Sequence, residues 1–203
     1  SRSSAGNNNR YLGILYYVQC DLERALWHFE QALCSARELG SRRDEGSVLG
    51  VLGNIYIDRG ELAQAQAHYE AALRINYELK NLSGCAIVLI NLGFMHMQRG
   101  EHDKARDRLE RSLALSRRRG LRTWEGVAIG NLGNLSRICG ALSEAEKMLV
   151  EALEIHKDAG FSHGQSYWQT GLALIRLEQG RLDEAQDFAQ QAVTTSAPYP
   201  GLH

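Results

Sequence analysis

A period of 40 residues runs through this chain. Leu-Gly occurs at Leu12-Gly13, Leu52-Gly53, Leu92-Gly93 and Leu132-Gly133, and Leu172-Ala173 follows one step later. A second glycine column, Gly60, Gly100, Gly140 and Gly180, keeps the same step, with Cys20 at its head. Ala25, Ala65, Ala105, Ala145 and Ala185 form an unbroken third column. Leu22, Leu62, Leu142 and Leu182 form a fourth, interrupted by His102. Repeats of this length are single supersecondary units. No such unit buries both its faces alone, so neighbours must stack.

The unit reads as two helices. Proline occurs only at Pro198 and Pro200, so nothing before them forces a helix break. Between the turn glycines, Leu62, Ala65, Tyr69, Ala72 and Leu73 fall at helical spacing. Gly60, Gly100, Gly140 and Gly180 fit the left-handed position that ends a first helix, and Gly40, Gly120 and Gly160 the one that ends a second. In the second repeat Lys80-Asn81 stands there, and Asn81 is expected to take the left-handed turn. First helices are expected near 8–19, 42–59, 82–99, 122–139 and 162–179. Second helices are expected near 22–39, 62–79, 102–119, 142–159 and 182–196. Glycine inside a first helix costs about 1 kcal/mol against Ala. Its recurrence at 13, 53, 93 and 133 predicts close helix approach, with the Ala column facing it. Phe29, Tyr69, Leu109 and Leu149, with Leu33, Leu73, Leu113, Leu153 and Val193, are expected to fill the space between units.

Composition narrows function. Lys+Arg 23 against Asp+Glu 24 gives a net charge of −1, which argues against a charge-driven nucleic-acid or membrane binder. No run of 18 apolar residues exists, so no membrane span is expected. The first residues lack the apolar stretch of a secretion leader. Cys20, Cys34, Cys85 and Cys139 form no close pair, so free and mostly buried thiols in a cytoplasmic chain are expected. No cofactor, metal or catalytic group is expected. HExxH, Walker, EF-hand and GxSxG patterns are absent, and the seven histidines read as surface residues. Glu30, Glu70 and Glu110 form a carboxylate column that reads as a solvated face.

The columns resemble the tetratricopeptide repeat, W-x2-L-G-x2-Y, then A-x3-F, then P. The first repeat gives Leu12-Gly13-x2-Tyr16 and Ala25-x3-Phe29, and the second Leu52-Gly53-x2-Tyr56 and Ala65-x3-Tyr69. His96, Ser136 and Arg176 replace the tyrosine in later repeats. The 40-residue step resembles the longer-helix variety found in kinesin light chains, GoLoco-linked adaptors and bacterial regulatory proteins. The resemblance implies an all-α, right-handed superhelical solenoid of five antiparallel hairpins. The repeats would lie near 7–40, 41–80, 81–120, 121–160 and 161–197, in one array over 1–203, with 198–203 as a tail.

The resemblance also implies a site. First helices line the concave surface of such arrays, which places Arg10, Ile14, Tyr17, Asn54, Ile57, Phe94, Met97, Asn134, Arg137 and Leu174 on it. Ile90, Phe94, Met97, Ile138, Leu174 and Leu177 are expected to add an apolar patch. A carboxamide both donates and accepts, so Asn54 and Asn134 suit an extended peptide backbone. The expected function is non-enzymatic binding of a protein or peptide segment. A peptide-sensing regulator domain is the alternative, and RNA binding through Arg117, Arg118, Arg119 and Arg122 is a third, weaker reading. Self-association through a terminal hairpin is a further expectation.

Overall fold

A computed structural model describes residues 2–196, with side chains from Gly6 onward. The tail expected at 198–203 lies outside the described residues. Ten helices and no strand occur among them: α1 (Arg2–Val18), α2 (Leu22–Glu38), α3 (Arg42–Asp58), α4 (Leu62–Glu78), α5 (Leu82–Gln98), α6 (His102–Arg119), α7 (Arg122–Ile138), α8 (Leu142–Asp158), α9 (Ser162–Glu178) and α10 (Leu182–Ser196). The first helix starts six residues earlier than the sequence pattern suggests. The others agree within a residue or so.

The turns are Schellman motifs. In the turn after α3, the Gly60 N–H donates to the Ile57 carbonyl and the Glu61 N–H to the Tyr56 carbonyl, at 2.9 and 2.8 Å. This pair of bonds requires a left-handed residue, and Gly60 supplies it at φ 74°. Two positions use a side-chain-bearing residue instead, Cys20 at φ 59° and Lys80 at φ 54°. The expectation that Asn81 turns left-handed is therefore corrected. Place in the period fixes the left-handed residue, and Asn81 falls one position later. There it caps α5, its side chain accepting from the Gly84 N–H at 3.1 Å.

The chain forms two compact units, Ser1–Arg99 and Gly100–His203. In the first, α1 pairs with α2 and α3 with α4, and α5 packs on α4. Its core gathers Phe29, Leu33, Leu49, Leu52, Ile55, Tyr69, Ile75 and Leu92. In the second, α6 packs on α7, α7 pairs with α8, and α9 with α10. Its core gathers Ile129, Leu149, Leu153, Ile155, Trp168, Leu172 and Ile175.

The glycine column does mark close approach, and both the large residue and the alanine lie against it. A Cβ placed on Gly13 would lie 2.8 Å from the Phe29 ring, and one on Gly53 would lie 2.4 Å from the Tyr69 ring. One on Gly133 would lie 3.1 Å from Leu149. The large residue four positions after the alanine fills the glycine's space. The fully buried alanine sits beside it.

Two further expectations fail on burial. Cys20, Cys34 and Cys139 are exposed and only Cys85 is buried, because the helix ends and outer faces that carry the first three are not covered. His96 and His156 are buried rather than at the surface. His156 lies between Gly126 and Gly164, whose missing side chains make room for its ring. Its Nδ1 accepts from the Trp168 indole N–H at 2.9 Å. That leaves Nε2 as the protonated nitrogen, donating to the Thr123 carbonyl at 3.0 Å. Burial holds its pKa below the usual histidine value.

Candidate functional site

First helices of neighbouring repeats are tied by polar contacts along one face. In the first unit, the Arg10 guanidinium on α1 donates to Asp44 on α3 at 2.9 Å. Two turns on, the Tyr17 hydroxyl donates to Asp58 at 2.6 Å. Burial first, and then the Asp58 carboxylate, push the Tyr17 phenol well above its usual pKa. Ile14 stands exposed between them. Ile57 packs partly into the core, and Phe94 and Met97 on α5 are half-buried. Ile90 is buried, so the expected apolar patch loses it.

Asn54 sits at the centre of a small network. Its Oδ1 accepts from the Tyr69 hydroxyl at 2.7 Å and from the Asn91 amide at 3.1 Å. Its acceptor is thus committed inside the unit, and the two N–H donors are what it has left to offer.

The second unit carries the same face with different side chains. Asn134 on α7 is Asn54 moved by two periods, but Leu149 replaces Tyr69 and Gly171 replaces Asn91. Neither replacement has a polar side-chain group. The Asn134 side chain accordingly makes no hydrogen bond among the described residues, and both its donor and its acceptor are uncommitted. Its Oδ1 lies 3.2 Å from where a Gly171 Cβ would be. On α9, Tyr167 and Leu174 flank Gly171 by about one turn on either side. Both are substantially exposed. Arg137 lies one turn beyond Asn134 and pairs with Glu178. Its Nε is buried without a partner. The Tyr167 phenol is raised by burial, against an opposing pull from Arg137.

All ten sequence-predicted residues lie on first helices. Seven fall in the first unit and Asn134, Arg137 and Leu174 in the second. Sequence reasoning missed Asp44 and Asn91, whose side chains neutralise or occupy predicted residues. The signal was available for Asn91, which stands 37 residues after Asn54, a near-period neighbour on the next first helix.

Two of the four arginines in the basic cluster, Arg117 and Arg122, are ion-paired. Arg117 pairs with Glu125 at 3.1 Å and lies 3.6 Å from Glu151. Arg122 pairs with the other Glu125 oxygen at 3.0 Å. The first unit repeats the pattern, with Arg37 and Arg42 both on Glu45. Burial opposes ionisation of Glu45, but hydrogen bonds from Arg37 and Arg42 win and hold its pKa below the usual value. The carboxylates Glu30, Glu70 and Glu110 are exposed. Among the described residues no group of three or more His, Cys, Asp or Glu could hold a metal ion, and no helix is long and apolar enough to cross a membrane.

Comparison with known proteins places these faces in context. The family model described as the MalT-like TPR region matches residues 44–200, and a tetratricopeptide-repeat model matches residues 4–78. No curated protein matches the sequence. Among solved structures, a Rap protein complexed with competence and sporulation factor superposes with a TM-score of 0.84 at 17% identity, over 93% of this chain and 53% of that one. NprR in complex with its cognate peptide NprX gives 0.81 at 15% identity, over 98% and 57%. A putative kinesin light chain from Podosopora anserina with nearly identical TPR-like repeats gives 0.68 at 19% identity, over 94% of each chain. The chain thus spans little more than half the length of the Rap protein and of NprR.

Proposed function

The chain belongs to the MalT-like TPR family, and on that premise we propose that it is a non-enzymatic module that binds an extended peptide or protein segment along its first helices. The observation that carries this is Asn134. An uncommitted carboxamide stands beside the bare backbone of Gly171, between the exposed side chains of Tyr167 and Leu174. A carboxamide matches the alternating donor and acceptor of an extended backbone, and the flanking side chains offer apolar contact to the residues on either side. In the first unit, Asn54 contributes donors only, with Ile14, Phe94 and Met97 as the apolar surface. Arg10, Tyr17 and Ile57 complete the proposed face in the first unit, and Arg137 completes it in the second. The exposed thiols fit a reducing, cytoplasmic setting.

One observation favours a narrower second reading. NprR was solved with its cognate peptide, and this chain matches little more than half of NprR. On that likeness the module senses a peptide on behalf of a longer protein. The RNA reading finds less support, because Arg117 and Arg122 already share Glu125.

Selection from a random 12-residue peptide library on the immobilised chain tests the proposal. The selected peptide should bind saturably, with affinity changing little between about 50 and 200 mM salt. Failure to select any peptide, together with single-stranded RNA binding that falls steeply over that range, would favour the nucleic-acid reading instead.

A further inference from the structure

Each compact unit contains one joint of the same make. In the first, α3, α4 and α5 meet, and in the second α7, α8 and α9. Two steps of 40 turn one joint into the other, and three glycines are kept: Gly46, Gly50 and Gly84 become Gly126, Gly130 and Gly164. Ile75 is kept as Ile155, and each lies 2.9 Å from where a Cβ on Gly46 or Gly126 would be. Gly84 lies against Asn76 and Gly164 against His156, again at matching positions. The helices therefore meet in the same way in both joints.

The two joints differ over the middle glycine. Over Gly130 stands the benzene half of the Trp168 indole, three of whose carbons lie 2.6 Å from where a Cβ would be. Trp168 is 2% exposed and is held by its N–H bond to His156. Two periods earlier stands Val88, which is buried and carries no ring. It does not reach the space over Gly50, where a Cβ would meet nothing within 4 Å among the described residues. No other side chain has taken the ring's place. The first joint thus keeps an open notch, floored by bare helix backbone, where the second holds a benzene ring.

The notch lies on the proposed binding face. Ser47 and Asn54 stand about one turn to either side of Gly50 on α3. The Asn54 acceptor is taken by Tyr69 and Asn91, which leaves its N–H donors for a ligand carbonyl. A carbonyl bound there sets the neighbouring side chain beside Gly50. An aromatic ring gains most from such a seat, since it buries a large apolar face.

We propose that the notch over Gly50 binds an aromatic ring of the ligand, a Phe or Trp side chain of the bound segment, seated on α3 as Trp168 is seated on α7. That the ring belongs to a peptide rests on the peptide-binding reading, whereas the notch itself does not.

The test titrates the isotope-labelled 203-residue chain with N-acetyl-phenylalaninamide, N-acetyl-tryptophanamide and N-acetyl-leucinamide, followed by NMR. The two aromatic amides should shift the Gly50 amide resonance saturably, and the leucine amide should not. Gly50→Leu fills the notch and should weaken aromatic binding by about tenfold or more, with a dispersed spectrum verifying that the variant is folded. A library-selected peptide should carry an aromatic residue whose change to Ala costs about tenfold or more against the unmodified chain and nothing further against Gly50→Leu. No shift at Gly50 with either aromatic amide, an equal response to the leucine amide, or aromatic binding that Gly50→Leu leaves intact would each overturn the proposal. A selected peptide that binds without an aromatic residue would overturn it while the peptide-binding reading stands. Selection that yields no peptide would count against that reading instead, and the amide titration would still decide the notch.

Discussion

The Tyr17 hydroxyl donates a 2.6 Å hydrogen bond to Asp58 on the next first helix, and three periods later Arg137 and Glu178 are paired at the same two positions. The contact is a feature of the register, filled by different chemistry in each unit. Because burial and then Asp58 raise the Tyr17 phenol above its usual pKa near 10, Asp58→Asn should let it ionise earlier. Spectrophotometric titration of the tyrosines should show Tyr17 moving to lower pH in that variant, with a smaller shift in the same direction for Tyr69, which Asp58 also raises. A titration curve identical to that of the unmodified chain would mean that the bond is not formed in solution. Tyr17→Phe should cost only about 0.5–1 kcal/mol of stability, since the carboxylate is exposed and water takes its place.

Two glycines one turn apart on α3 should respond to Ala with opposite signs. A Cβ on Gly50 meets nothing within 4 Å, so Gly50→Ala should stabilise by about 0.5–1 kcal/mol through helix propensity. A Cβ on Gly53 falls 2.4 Å from the Tyr69 ring, and that ring is held by its hydroxyl bond to Asn54. Gly53→Ala should therefore destabilise by about 1–3 kcal/mol. Urea denaturation of the two variants decides the matter, and equal shifts of one sign would contradict the packing described.

His156 gives stability a pH dependence. Its folded pKa lies below the unfolded value near 6.5, so the unfolded chain binds the proton more readily. Its stabilising effect is complete above pH 6.5 and is lost as pH falls from there through the folded pKa, by at most about 1.4 kcal/mol per pH unit. Half-buried His68, also lowered by burial and then by Arg37, adds slope of the same sign. Glu45 and Glu146, whose pKa values are held down, lose their contribution only as pH falls below about 4.3. His156→Asn, which installs the residue found at the equivalent Asn76, should flatten melting temperature against pH between 7 and 5.5. An unchanged slope would show that the ring is not a neutral buried group.

The repeat made the helices and turns legible because glycine, alanine and leucine each have one steric reason to recur. Single positions were harder. Lys80 turns left-handed because the period puts it there, although its neighbour Asn81 looks the better candidate by residue type. His156 looks polar and exposed in isolation, and only the flanking Gly126 and Gly164 hint that its ring is enclosed. The difference between Asn54 and Asn134 was present in the columns. Tyr69 has a hydroxyl to donate and Leu149 has none. It becomes visible only once the structure shows that these residues face each other.

That difference supplies the most direct measurement of the central claim. A library-selected peptide should be titrated calorimetrically against Asn134→Ala, Leu174→Ala, Asn54→Ala and Arg118→Ala. Asn134 offers a donor and an acceptor, and at about 0.5–1.5 kcal/mol net for each hydrogen bond its loss should weaken binding by about tenfold or more. Leu174→Ala should weaken binding as well, and Asn54→Ala should have a smaller effect on affinity, because the Asn54 acceptor is already taken by Tyr69 and Asn91 and only its donors face a peptide. Arg118, exposed on the second helix α6, should leave affinity unchanged. Loss of binding in Arg118→Ala with Asn134→Ala and Leu174→Ala silent would place the partner on the second helices and contradict the account.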